Sequence, residues 1–180
     1  MRRFRQILLG AAMGALTGWL SGRVTFGLPE PWFRFLPGVI FGIGVALLRG
    51  FEMRPLRGKT VILLLGFLLI STTAYRVAME VAMRLSEWIG REKDLWIPGL
   101  AAGVVGAAKL TAIWQLAKLS QKSWFAWVIV PILGALLGLL LQPAINGPET
   151  DDYLFRLFIP WQCGVAAALM AFPPPERKPG

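Results

Sequence analysis

Six predominantly apolar runs, bounded by charges or turn formers, take up nearly the whole of this 180-residue chain. A helix needs about 20 largely apolar residues to cross roughly 30 Å of hydrocarbon. The runs lie near 6–27, 33–48, 60–82, 96–116, 124–141 and 154–172. They predict one all-α integral membrane domain over 1–180, a polytopic bundle of six transmembrane helices. With 56% hydrophobic and only 16% charged residues, and a mean hydropathy of +0.59, the chain lies outside the balance of a soluble domain.

Several chemistries are excluded at the outset. Histidine is absent and Cys163 is the lone cysteine, so His-ligated metal or haem, Cys-ligated clusters, disulfides and His-based nucleophilic dyads have no ligands or bases. A Ser-Lys dyad needs no histidine, but Ser120 and Ser123 neighbour Lys118 and Lys122 at an interface, where an exposed lysine stays protonated. No catalytic residue, metal ligand or cofactor-binding motif is assigned, and the expectation is a non-enzyme. Glu149, Asp151 and Asp152 share an irregular loop with oxygen ligands for a hard cation, but without an EF-hand spacing they read as an acidic surface loop.

Loop charge sets the orientation. With the N-terminus inside, the cytoplasmic set is Arg2, Arg3, Arg5, Arg49, Arg54, Arg57, Lys59, Lys118, Lys122, Arg177 and Lys178, eleven cations. The outer set is Arg23, Arg34, Arg84, Arg91, Lys93 and Arg156, six. By the positive-inside rule both termini are cytoplasmic, and the setting expected is a bacterial cytoplasmic (inner) membrane. Tryptophan, which favours the headgroup level, falls at the outer boundary as Trp32, Trp88, Trp96 and Trp161 and at the inner one as Trp114, Trp124 and Trp127, with Trp19 off both belts. The net charge of +9 is read as a basic membrane face, with no nucleic-acid partner.

Met1–Arg5 followed by an apolar run also has the shape of a signal-peptide start. Gly10, Gly14, Gly18 and Gly22 recur every fourth residue through any cleavage point, which argues for a retained helix with a glycine-zipper stripe packed closely against another helix. That partner helix can belong to this chain or to another.

Phe35-Leu36-Pro37-Gly38, Trp96-Ile97-Pro98-Gly99 and Phe158-Ile159-Pro160-Trp161 share a bulky-bulky-Pro opening with prolines 61 and 62 residues apart. Small residues follow as Gly38 and Gly42, then Gly99 and Gly103, with Gly134 and Gly138 in the fifth run and Gly66 holding the analogous place in the third. The economical reading is three two-helix hairpin repeats. The bland alternative is that Pro suits a first helical turn and small residues suit any membrane contact.

Three sets of charges are candidate sites. In the third helix Arg76 lies ~24 Å and Glu80 ~30 Å along from Thr60. With Tyr75, Thr72 and Thr73 these residues outline a polar intramembrane site opening outward. Depth favours a different role, a self-satisfied ladder of Arg76, Glu80, Arg84, Glu87 and Arg91 with Arg76 snorkelling. Lys109, ~18 Å below the outer surface, is the deepest charge. Two readings are even: its stem snorkels toward the cytoplasmic face, or it is buried in the bundle with a carbonyl, a hydroxyl such as Thr17 or Thr111, a ligand or another subunit as its partner. Arg34, Lys93 and Arg156 precede the three prolines and form a candidate outer anion site, but the same loops carry acids, and lipid anchoring is the plainer reading.

Two functions follow as expectations. One is a non-catalytic subunit or interaction partner, with the lipid bilayer and other membrane chains, or further copies of itself, as partners. The other is a small-solute transporter or membrane-embedded solute-binding subunit using Arg76, Glu80 and Lys109. No cofactor is identified.

Overall fold

The computed structural model describes residues 2–25, 29, 32–53, 58–90, 94–146 and 153–172. The elements are α1 (Arg2–Thr25), a 3-10 turn (Trp32–Arg34), α2 (Leu36–Glu52), α3 (Gly58–Ile89), α4 (Trp96–Leu116), α5 (Trp124–Gly138), α6 (Leu141–Ile145) and α7 (Tyr153–Met170). Helix makes up 88% and no strand occurs among the described residues. The class is therefore an all-α bundle.

Four segments are long and apolar enough to cross a membrane, Arg3–Val24, Val61–Ile89, Trp96–Leu116 and Trp124–Ile145. Their outward faces carry exposed Leu8, Leu16, Ile62, Leu69, Ile129 and Leu136. Aliphatic side chains on the outside at this density suggest an integral membrane protein, since in water they would form a large apolar patch. The remaining long helices, α2 and α7, span 17 and 18 residues.

Short connections make successive helices neighbours, and the packing runs α1–α2–α3–α4–α5–α7 and back to α1. Small residues set the closest approaches. A Cβ added at Gly10 would stand 2.8 Å from the Ala166 carbonyl oxygen, and one at Gly18 would stand 2.6 Å from that of Phe158. Gly14 meets the Gln162 carbonyl and Gly22 the Phe155 ring in the same way. The partner of the glycine stripe on α1 is thus α7 of the same chain. Gly38 and Gly42 of α2 approach Ser71, Thr72 and Leu68 of α3, and the Ser71 hydroxyl donates to the Gly38 carbonyl at 2.9 Å. Gly99 and Gly103 of α4 face Gly138 and Gly134 of α5 backbone to backbone, a contact only glycine permits.

α3 is one unbroken helix of 32 residues, in keeping with the charged stripe that runs on from Arg76 along one helix. Other expectations shift. The fifth run does not continue to Leu141 as a single helix, because it breaks at Leu139 and Leu140, where Pro143 has no N–H for the Leu139 carbonyl. Pro37 and Pro98 sit in the first turns of α2 and α4, but Pro160 lies inside α7, so the third shared tripeptide is not a helix start. Gly66 has nothing within 4 Å of an added Cβ and plays no part in helix packing.

Trp32, Trp88, Trp96, Trp124 and Trp127 are exposed, whereas Trp114 is buried and Trp161 half-buried. α7 begins at Tyr153, so Trp161 lies ~12 Å along the helix rather than at its end.

Candidate functional site

Helices α2, α3, α4 and α7, with Gly138 of α5 and Leu141 of α6, line a partly open cavity of about 70 Å³. Phe41 and Trp161 meet in it at 6.2 Å between ring centroids with a 59° tilt, and Tyr75 and Phe158 at 5.8 Å with a 52° tilt. Ala74, Ala78, Ala82, Ala102, Gly103 and Gly106 supply the rest of much of the wall. These small residues make room where a larger side chain would fill the space, and the Trp161 ring lies against Gly106. Pro37, Gly99 and Leu157, from the starts of α2 and α4 and the first half of α7, place the cavity in the half of the bundle toward those helix starts.

Polar groups on this wall are few. The Ser71 hydroxyl is occupied by the Gly38 carbonyl. Gln162 is 2% exposed, its Nε2 donates to the Ser21 Oγ at 3.0 Å, and its Oε1 is buried without a partner. A buried acceptor left unpaired is uncommon in native interiors.

A second polar cluster closes the opposite end. Arg49 is fully buried near the end of α2, with Nη1 donating to Glu52 Oε2 at 2.8 Å and Nη2 to the Phe172 carbonyl at 2.9 Å. Its guanidinium lies 4.7 Å from the Trp114 ring centroid, within the range of a cation–π contact. Nε of Arg49 has no partner. The arrangement ties α2, α4 and the segment after α7 together, with fork geometry that lysine does not offer.

The charges singled out from sequence lie elsewhere. Arg76 is exposed on α3, 5.1 Å from the Phe35 ring centroid. Glu80 accepts from Arg84 Nε at 2.7 Å along one helix face. The Thr72 hydroxyl donates to the Leu68 carbonyl and that of Thr73 to Ile70, so each is spent within its own helix. Of this group only Tyr75 lines the cavity. Lys109 is half-buried on α4 and is not part of the cavity wall. The hydroxyls of Thr17 and Thr111 donate to Gly14 and Ala107 carbonyls instead.

Arg34 is half-buried and Arg156 exposed, while Lys93 lies outside the described residues. The loop with Glu149, Asp151 and Asp152 is also outside them. Among the described residues no cluster of three acidic or sulfur ligands is present.

Sequence reasoning passed over Gln162 and Arg49. Gln162 carried a usable signal, since an amide inside an apolar run must find a partner. Arg49 carried little, because it opens the basic stretch with Arg54, Arg57 and Lys59 and counts there as one more loop cation. No protein-family model, curated protein or solved structure matches this chain.

Proposed function

We propose that the chain is a non-catalytic integral membrane protein whose helices cross the bilayer six times around a central cavity that binds a small, largely apolar molecule. The observation that carries this reading is the cavity itself, walled by four aromatic rings and small residues within a ring of helices. Pockets for small molecules are mostly apolar with a few placed polar groups, and they occur between the helices of bundles. At 17 and 18 residues, α2 and α7 are each ~26 Å long and sit at the short end of what a bilayer accepts.

Three tight pairs built on small residues, α2 with α3, α4 with α5 and α7 with α1, support a three-hairpin architecture with the sixth crossing joined back to the first. The excess of basic residues on one set of loops supports cytoplasmic termini in a bacterial inner membrane. The intramembrane charges are not part of this binding site.

A second reading, a subunit that docks on another membrane chain, draws on α3. At 32 residues it is ~48 Å long, and its last turns present Trp88 at 84% exposure beside the Glu80–Arg84 pair. The glycine face of α1 is covered by α7, so docking would use α3.

The test is ligand binding in lipid nanodiscs with a panel of single-ring aromatics. The reading predicts saturable binding that Ala78→Leu abolishes by filling the cavity, while Ala12→Leu on the exposed face of α1 leaves it intact. Binding unaffected by Ala78→Leu, or absent altogether from well-folded protein, contradicts it.

A further inference from the structure

We infer that the outer face of α4 around Lys109 is a docking surface for a transmembrane helix of another chain, and that Lys109 pairs there with an aspartate or glutamate of that helix. This rests on the docking reading above, carries it from α3 to the helix packed beside it, and names the partner's chemistry. The cavity has no part in it.

Depth makes this charge expensive. Lys109 lies ~18 Å from Ile97 and ~10 Å from Leu116 along α4, and the four-carbon stem of a lysine is shorter than either distance. Charges at such depth are found with a partner or beside a water-filled space. Among the described residues Lys109 makes no hydrogen bond, ion pair or ring contact. It is half-buried, its Nζ is not enclosed, and it stands outside the cavity wall.

The chain does not supply the missing acid. Its described helices carry Glu52, Glu80 and Glu87, and the first two are held by Arg49 and Arg84. A Cβ added at Gly106 of α4 would stand 3.4 Å from that of Ala78 in α3, which puts Glu87 ~18 Å from the level of Lys109 along the helix axes. A second copy offers the same three acids, so the complementary carboxylate belongs to a different chain.

The surface beside Lys109 suits a helix better than lipid. Gly99, Gly103, Gly106 and Leu110 are buried and form the inner side of α4. Ala101, Val105, Ala108 and Ala112 share the other side, with Lys109 at its edge, and all are half-exposed. Between Leu100 and Leu116 no bulky apolar side chain of α4 is exposed, whereas α3 exposes Ile62, Leu65 and Leu69. Small residues mark the places where membrane helices approach one another closely.

The probe is a synthetic transmembrane helix of about 23 leucines and alanines, carrying one Glu about seven residues from its end. Its control has Leu in place of that Glu. Each is reconstituted with the dye-labelled chain in phosphatidylcholine vesicles over a series of peptide-to-lipid ratios, and energy transfer between chain and peptide is followed. The Glu helix is expected to associate at a ratio at least ~5-fold lower than the Leu helix, the scale of a polar contact between membrane helices. Lys109→Met is expected to abolish that difference and Lys109→Arg to keep it. Equal association of the two helices, or a difference that survives in Lys109→Met, overturns the role of Lys109. Loss of both helices in Trp88→Ala places the contact on α3 and overturns the α4 surface while the docking reading stands. Association of neither helix overturns both. Energy transfer between two copies of the chain that Lys109→Met removes overturns the choice of a different chain as the partner. The comparison of the two helices on the unaltered chain stands even where a variant fails to fold.

Discussion

The Arg49 guanidinium rests 4.7 Å from the centroid of the Trp114 ring, and the Trp114 indole N–H donates in turn to the Leu169 carbonyl at 3.1 Å. Together with the bond from Arg49 to the Phe172 carbonyl, this holds the end of α7 by two carbonyls. Those carbonyls lie at a helix terminus, where intrahelical donors have run out. A fully buried cation is retained there because hydrogen bonds and a ring face replace part of its hydration.

Replacing this arginine tests that account. Arg49→Met is expected to lower the unfolding free energy in SDS-containing mixed micelles by ~2–3 kcal/mol, the scale of a hydrogen bond to a charged group. Arg49→Lys keeps the charge without the fork and is expected to fall between the two. A change for Arg49→Met within ~0.5 kcal/mol, the range of ordinary surface substitutions, contradicts the role.

Two glycines separate close packing from mere sequence pattern. Gly18→Val drives a side chain into the Phe158 carbonyl and the Ile159 Cα, and overpacking of this kind costs ~1–3 kcal/mol. Gly66→Ala meets nothing within 4 Å in the middle of α3 and is expected to gain ~0.5–1 kcal/mol from the lost backbone freedom of glycine. Unfolding curves in the same micelles check both, and a destabilised Gly66→Ala contradicts its open surroundings.

Lys118, with φ 54°, turns the chain out of α4, and the Leu119 N–H bonds back to the Trp114 carbonyl at 3.0 Å. A left-handed residue at this place is usually glycine. Lys118→Gly is expected to raise stability by ~0.5–1 kcal/mol, the relief of the Cβ clash less the added chain entropy. Lys118→Ala keeps the clash and is expected to give no gain. A gain from alanine as large as that from glycine would contradict this account of the turn.

The helices and the small-residue stripes were legible because both are one-dimensional patterns. A run of apolar letters gives a length, and Gly10, Gly14, Gly18 and Gly22 give a face. Which helix meets that face is a three-dimensional fact, and α7 is the most distant helix in sequence from α1. The cavity was illegible for a related reason. Phe41, Tyr75, Phe158 and Trp161 come from three helices, and each alone reads as core or as interface. Trp161 illustrates the ambiguity, since its place at the outer belt depended on taking Pro160 as a helix start. Arg76 and Glu80 drew attention because charge in an apolar run is conspicuous, but their helix turns them to the outside. Gln162, uncharged, drew none, although with Ser71 and Tyr75 it is one of the polar residues lining the cavity.

The 17-residue α2 provides the most direct test of a lipid-solvated ring with six crossings. In a Cys163→Ala background, single cysteines along α2 and just beyond its ends, from Trp32 to Met53, are exposed in sealed proteoliposomes to a maleimide that does not cross bilayers. The account predicts labelling at Trp32 from one side only, labelling at Met53 from the opposite side only, and none at Ile43 or Leu47 in the middle. Reaction at the middle positions, or at both ends from the same side, would contradict a membrane-crossing α2 and with it the closed ring around the cavity.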